Sequence, residues 1–133
     1  MKRRVFFRDA GIWAMAAAGT GVLSACSAHG GLKPGEILHT VQFDLKHPVG
    51  SESAALFIAD GRKILTSVPG VYDFQVFRQC SPKNDFQYAF FMKFANQEDF
   101  DAYTAHPDHC KFVEERWNTE VTRFQEADFQ DLR

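Results

Sequence analysis

His39, Tyr103 and His109 are the residues of this chain whose types and spacing suit proton chemistry. The segment Tyr103-Thr104-Ala105-His106-Pro107-Asp108-His109 holds one phenol and two imidazoles. A neutral imidazole takes up a proton near neutral pH, and a phenol polarises a carbonyl oxygen by hydrogen bonding to it. In that reading His109 is the general base, with Tyr103 and His39 as hydrogen-bonding partners. A plainer reading stays open. His39, on an apolar strand face, is equally a packed core histidine, and His106 to His109 is equally a helix-breaking corner bonded to backbone. Imidazoles also suit zinc or copper. Pro107 interrupts the helical spacing of His106 and His109, however, and no carboxylate trio lies nearby. No metal and no cofactor is expected.

The elements that must position these residues are legible as periodicities. Ile37 to Leu45 alternates, with Ile37, His39, Val41, Phe43 and Leu45 on one face, which predicts a half-buried strand. Ser51 is placed to cap a helix running to about Thr66. Gly61 weakens its middle by about 1 kcal/mol relative to alanine. Val71 to Gln79 alternates again, with Tyr72, Phe74 and Val76 expected on one face, and 80–85 reads as a turn. Phe86 to Phe94 is the strongest strand, with Phe86, Tyr88, Phe90, Met92 and Phe94 on one side. Ala89 and Phe91 make its other side apolar too, so a second subunit is expected to cover it.

Asn96 caps the next helix, with Asp99 at its third position and Phe100 and Tyr103 on one side. That helix breaks at His106-Pro107, because a residue before proline is pushed out of helical angles. It is expected to restart near His109 and to carry Phe112, Val113 and Trp117, followed by a strand near Thr122 to Phe129. Strand–helix–strand–strand–helix–strand is the α+β, ferredoxin-like βαββαβ order. It predicts a four-stranded antiparallel sheet with both helices on one face.

The first residues carry a different message. Lys2, Arg3 and Arg4 precede an apolar run from about Ile12 to Val22, then Leu23-Ser24-Ala25-Cys26. A basic region, a short apolar core and a small-residue cleavage site make a secretory signal peptide, here 1–25. A membrane span needs about 20 apolar residues; this run is shorter and holds Gly19, Thr20 and Gly21. The paired arginines followed by Val-Phe-Phe look like a twin-arginine export signal, and general export stays open. The Leu-Ser-Ala-Cys tetrad resembles a lipoprotein processing site, which implies a diacylglycerol on the Cys26 sulfur. Residues 26–35, with Gly30, Gly31, Pro34 and Gly35, read as a flexible tether to a domain at 36–133. The expected location is the membrane, facing the periplasm or the cell exterior.

The chain from Cys26 onward carries a net charge of about −5, which argues against nucleic acid as a partner. Outside the cytosol a disulfide between Cys80 and Cys110 is permitted. Two small buried thiols are the other reading, and spacing alone does not choose between them.

Four segments in order are similar to the stress-responsive α/β-barrel (Dabb) family. They are Ile37-Leu38-His39-Thr40-Val41-Gln42-Phe43, Val68-Pro69-Gly70-Val71, the strand ending Met92-Lys93-Phe94, and the Tyr103–His109 segment, with Asp128 in a final strand. The similarity covers about 36–131. It implies a ferredoxin-like unit whose open sheet face pairs with a second copy to form a barrel. It also implies an internal pocket for a small, largely apolar molecule. The family's polyketide-cyclase member implies aldol-type or related carbonyl chemistry at His39, Tyr103 and His109. Its further pocket tyrosine falls near Gly61 here, a departure from the cyclase pattern. A purely structural dimer is the third reading.

Overall fold

The computed structural model describes residues 31–133. The signal peptide, Cys26 and the first half of the tether lie outside the described residues. The end of the expected tether is a turn. Glu36 N–H donates to the Lys33 carbonyl at 3.0 Å, and Lys33 N–H returns to the Glu36 carboxylate at 2.7 Å. Pro34 and Gly35, the latter at φ +82°, occupy its central positions, where a fixed φ and a left-handed residue are wanted.

Strand β1 (Ile37–Leu45) buries Ile37, His39, Val41, Phe43 and Leu45 as the alternation predicts, and Thr40 of the other face as well. It lies between β3 (Tyr88–Phe94) and β4 (Val121–Phe129), and β2 (Tyr72–Arg78) closes the far edge. All three pairings are antiparallel and the order is β2-β3-β1-β4, the ferredoxin-like arrangement. Helix α1 (Glu52–Ser67) begins where the Ser51 hydroxyl accepts from Ala54 N–H at 3.2 Å. It packs Ala54, Phe57, Gly61 and Leu65 toward the sheet. Phe43, Phe57, Phe90, Phe94, Met92 and Val68 are the most deeply buried side chains. Each contributes about 1.5–3 kcal/mol by leaving water.

Three local expectations are corrected. Tyr72 does not share a face with Phe74 and Val76. The register shifts between Tyr72 and Gln75 at Asp73, whose φ is +50°. Tyr72 therefore pairs with Lys93, and its hydroxyl donates to the buried carboxylate of Glu36. Second, β3 starts at Tyr88 rather than Phe86, because Phe86 N–H is taken by the Asn84 side chain at 2.9 Å. Third, the broken helix restarts at Pro107, not near His109. α2 (Gln97–Ala105) ends and α3 (Pro107–Phe112) begins around a single extended residue, His106. Proline fits the first helical position because its missing N–H is unneeded there. A π-helical stretch, Val113–Trp117, and a last helical turn, α4 (Asn118–Glu120), lead into β4.

Among the described residues, Cys80 and Cys110 are both free and exposed, so neither the bridge between them nor the buried thiols are realised. Cys80 leaves edge strand β2 for the turn before β3, whereas Cys110 sits on α3 with its thiol toward the Thr104 carbonyl at 3.6 Å. The face of the sheet away from the helices carries Phe91, with Phe77 packed edge-on against it at 5.3 Å, and the exposed Phe129. Among the described residues, no helix is long and apolar enough to cross a membrane.

Candidate functional site

His39 points to the helical side because β1 alternates, and it faces Met92 on β3 and Asp128 on β4. It is only 7% exposed. Its Nδ1 lies 2.6 Å from the Asp128 carboxylate. A carboxylate can only accept, so Nδ1 carries the hydrogen. Phe100 of α2 packs against the imidazole at 5.1 Å between centroids.

Tyr103 reaches the same place from α2. The Asn96 side chain caps that helix through Asp99 N–H at 2.8 Å. Tyr103 is 3% exposed, its ring 4.9 Å from Phe94 and 6.3 Å from His39. Its hydroxyl hydrogen-bonds to none of the described residues. Burial, with some help from the charge of Glu126, pushes the phenol well above its ordinary 10, so it is a hydrogen donor at neutral pH.

His109 lies in the first turn of α3. The break at His106 leaves the Thr104 carbonyl without a helical partner, and His109 Nδ1 donates to it at 3.0 Å. Nε2 has no partner among the described residues and keeps its lone pair. The ring lies 4.3 Å from that of Tyr103. Burial holds this imidazole below its ordinary 6.5, against the opposing pull of the Thr104 carbonyl and Glu126. It is therefore neutral at physiological pH. The three sequence-predicted site residues thus converge.

They line a cavity of about 200 Å³ between helices and sheet. Its deeper wall is apolar, with Leu65, Phe90, Met92, Phe112 and Trp117. The π-helical stretch brings Val113 and Trp117 onto this wall, a device common at functional sites. His39, Tyr103, His109 and Glu126 also line an outer groove bounded by Asp101 and Asp128, so they form the polar end of the cavity. Gly61 sits behind the apolar end, where Phe112 and Phe90 fill the space a side chain would take.

Sequence reasoning named Asp128 but missed Phe124 and Glu126. Both share its face of β4 by two-residue spacing, opposite Phe43 and Val41, and both line the cavity. Among the described residues, no group of three or more His, Cys, Asp or Glu side chains is placed to hold a metal ion. The arrangement offers one neutral base, one phenolic donor and a second imidazole around an apolar chamber.

Residues 37–131 match the Stress responsive A/B Barrel Domain family, Dabb, and the chain belongs to it. A Dabb-family protein with a ferredoxin-like fold from Mesorhizobium loti is 44% identical, with a TM-score of 0.73 over 74% of this chain and 99% of that one. A hydroxynitrile lyase from Passiflora edulis shares the fold at 16% identity and a TM-score of 0.66, over 76% of this chain and 98% of its own. A dimeric ferredoxin-like protein from Thermobifida fusca does so at 16% identity and 0.62, over 75% and 94%. No curated protein matches the sequence.

Proposed function

We propose that this Dabb domain binds a small, largely apolar molecule bearing one oxygen function, with the oxygen held at Tyr103 and His109. One observation carries the reading: a buried phenol and a neutral imidazole, each with a polar atom that has no partner among the described residues, line the same apolar cavity. A dry cavity of about 150 Å³ takes up benzene. The 200 Å³ here therefore suits a six-membered ring with a short substituent.

A second reading is acid–base catalysis at a carbonyl, with His109 as base and Tyr103 as the donor to oxygen. The neutral His109, its Nε2 lone pair left over by the Thr104 bond, favours it. The similarity in fold to a hydroxynitrile lyase is compatible with such chemistry. The proposed assembly is a homodimer through the open sheet face, which fits the apolar Phe91 and Phe77 there and the dimeric fold relative. The proposed location is the membrane surface of an exporting cell, through a lipid on Cys26.

The test uses Trp117, the only tryptophan after the signal peptide and part of the cavity wall. Benzyl alcohol, whose hydroxyl accepts from Tyr103 and donates to His109 Nε2, titrated into the chain from residue 26 onward should change Trp117 fluorescence saturably, and Tyr103→Phe and His109→Gln should weaken its binding. No saturable change in the folded wild type rejects the binding reading.

A further inference from the structure

We propose that Glu126 makes the cavity charge-selective, so that it prefers a small apolar molecule carrying a protonated amine to its neutral isostere and rejects a carboxylate. The inference rests on the binding reading above and names the ligand class it leaves open. Glu126 faces the helices from β4, opposite Val41 and two residues before Asp128. It borders both the cavity and the outer groove.

Three carboxylates surround that groove. Asp128 is occupied by His39 at 2.6 Å, and Asp101 by the Gln97 side chain at 2.7 Å. Glu126 makes no hydrogen bond or ion pair among the described residues. No lysine or arginine lines either space among the described residues. The groove is therefore a negative end on an apolar chamber.

A second observation points to a ligand at the same spot. The Tyr103 hydroxyl belongs to a side chain that is 3% exposed, borders the same two spaces and has no partner among the described residues. The hydroxyl can therefore bond a ligand with a polar head, and the charge beside it decides which head. Phe100 and Tyr103 line the groove as well, and aromatic rings attract ammonium groups. Glu126 also reaches electrostatically into the site, since its charge pushes up both the Tyr103 phenol and the His109 imidazole. An ammonium at the groove neutralises that charge, whereas a carboxylate adds to it.

The experiment compares benzylamine, benzyl alcohol and benzoate at neutral pH and low salt, read by Trp117 fluorescence in the chain from residue 26 onward. The wild type should bind benzylamine about threefold more tightly than benzyl alcohol, the range of a partly solvated ion pair, and benzoate more weakly than both. Glu126→Gln should abolish the amine preference and strengthen benzoate. Added salt should shrink the wild-type preference. Equal binding of all three, or a preference that survives Glu126→Gln, overturns the charge selection and leaves the binding reading standing. No binding of any of the three overturns both.

Discussion

The imidazole of His109 donates its Nδ1 hydrogen to the main-chain carbonyl of Thr104 at 3.0 Å, reaching back across the Pro107 break. The break supplies both halves of this bond. It strands the Thr104 carbonyl at the end of α2 and swings the first turn of α3 so that His109 returns over Tyr103. Without the proline, a continuous helix would use that carbonyl for its own ladder.

Because burial lowers the folded-state pKa of His109 below 6.5, the unfolded chain takes up a proton first as pH falls. The stability it contributes is complete above about 6.5 and declines as pH drops from there through the lowered folded value. Thermal melts at pH 7.5 and pH 5 should show a smaller loss for His109→Gln than for wild type. An NMR titration placing the His109 midpoint at or above 6.5 would contradict the assignment.

Tyr103→Phe separates a ligand-facing hydroxyl from a structural one. Removing a buried hydroxyl that holds a protein partner costs about 1–3 kcal/mol. The Tyr103 hydroxyl has none among the described residues, and the phenyl ring still packs on Phe94. The variant should melt at or above the wild-type temperature while binding benzyl alcohol more weakly. A large drop in melting temperature would mean the hydroxyl is a structural bond.

How much of this was legible in the sequence follows from particular residues. His39 was placed correctly because a strand buried on one face keeps a strict period of two. Tyr72 was misplaced by the same rule, since one residue at φ +50° resets the period and sequence offers no sign of it. The helix break was legible in His106-Pro107, but the Thr104–His109 bond was not, because it depends on the angle at which α3 restarts. The π-helical stretch was invisible for a similar reason. It changes the residues per turn without requiring a special residue. Glu126 was within reach, because the alternation that faces Asp128 inward faces Glu126 inward too.

Phe91 tests the assembly. It is half-buried on the open sheet face, between Gln75 on β2 and Thr40 on β1, with Phe77 edge-on against it. A charge there would be buried without a partner at the centre of the paired sheets. Phe91→Asp should weaken self-association by about 2 kcal/mol or more, roughly 30-fold. Sedimentation showing the wild type monomeric at micromolar concentration would remove the dimer altogether.

Cys26 tests the location independently of the fold. One acyl chain binds membranes only marginally, while two or more anchor stably. Wild-type protein should partition with membranes and carry acyl mass on its N-terminal residue. Cys26→Ser should accumulate as unprocessed precursor. Wild-type protein that is soluble and lacks acyl mass would reject the anchor.

Gly61 tests whether the cavity is sized by its back wall. Alanine would strengthen the middle of α1 by about 1 kcal/mol through helix propensity. Its methyl group would also meet Phe112 Cζ at 3.2 Å and Phe90 Cζ at 3.3 Å, closer than rings normally tolerate. In a solid core such overpacking costs about 1–3 kcal/mol. Here both rings line the cavity of about 200 Å³ and can give way into it. The two effects then nearly offset, and Gly61→Ala should change stability by less than about 1 kcal/mol. The displaced rings should occupy space meant for the ligand, so benzyl alcohol binding should fall while Tyr103 and His109 remain intact. A variant destabilised by several kcal/mol would mean the rings are locked. Unchanged binding at unchanged stability would mean that the back wall does not set the size of the site.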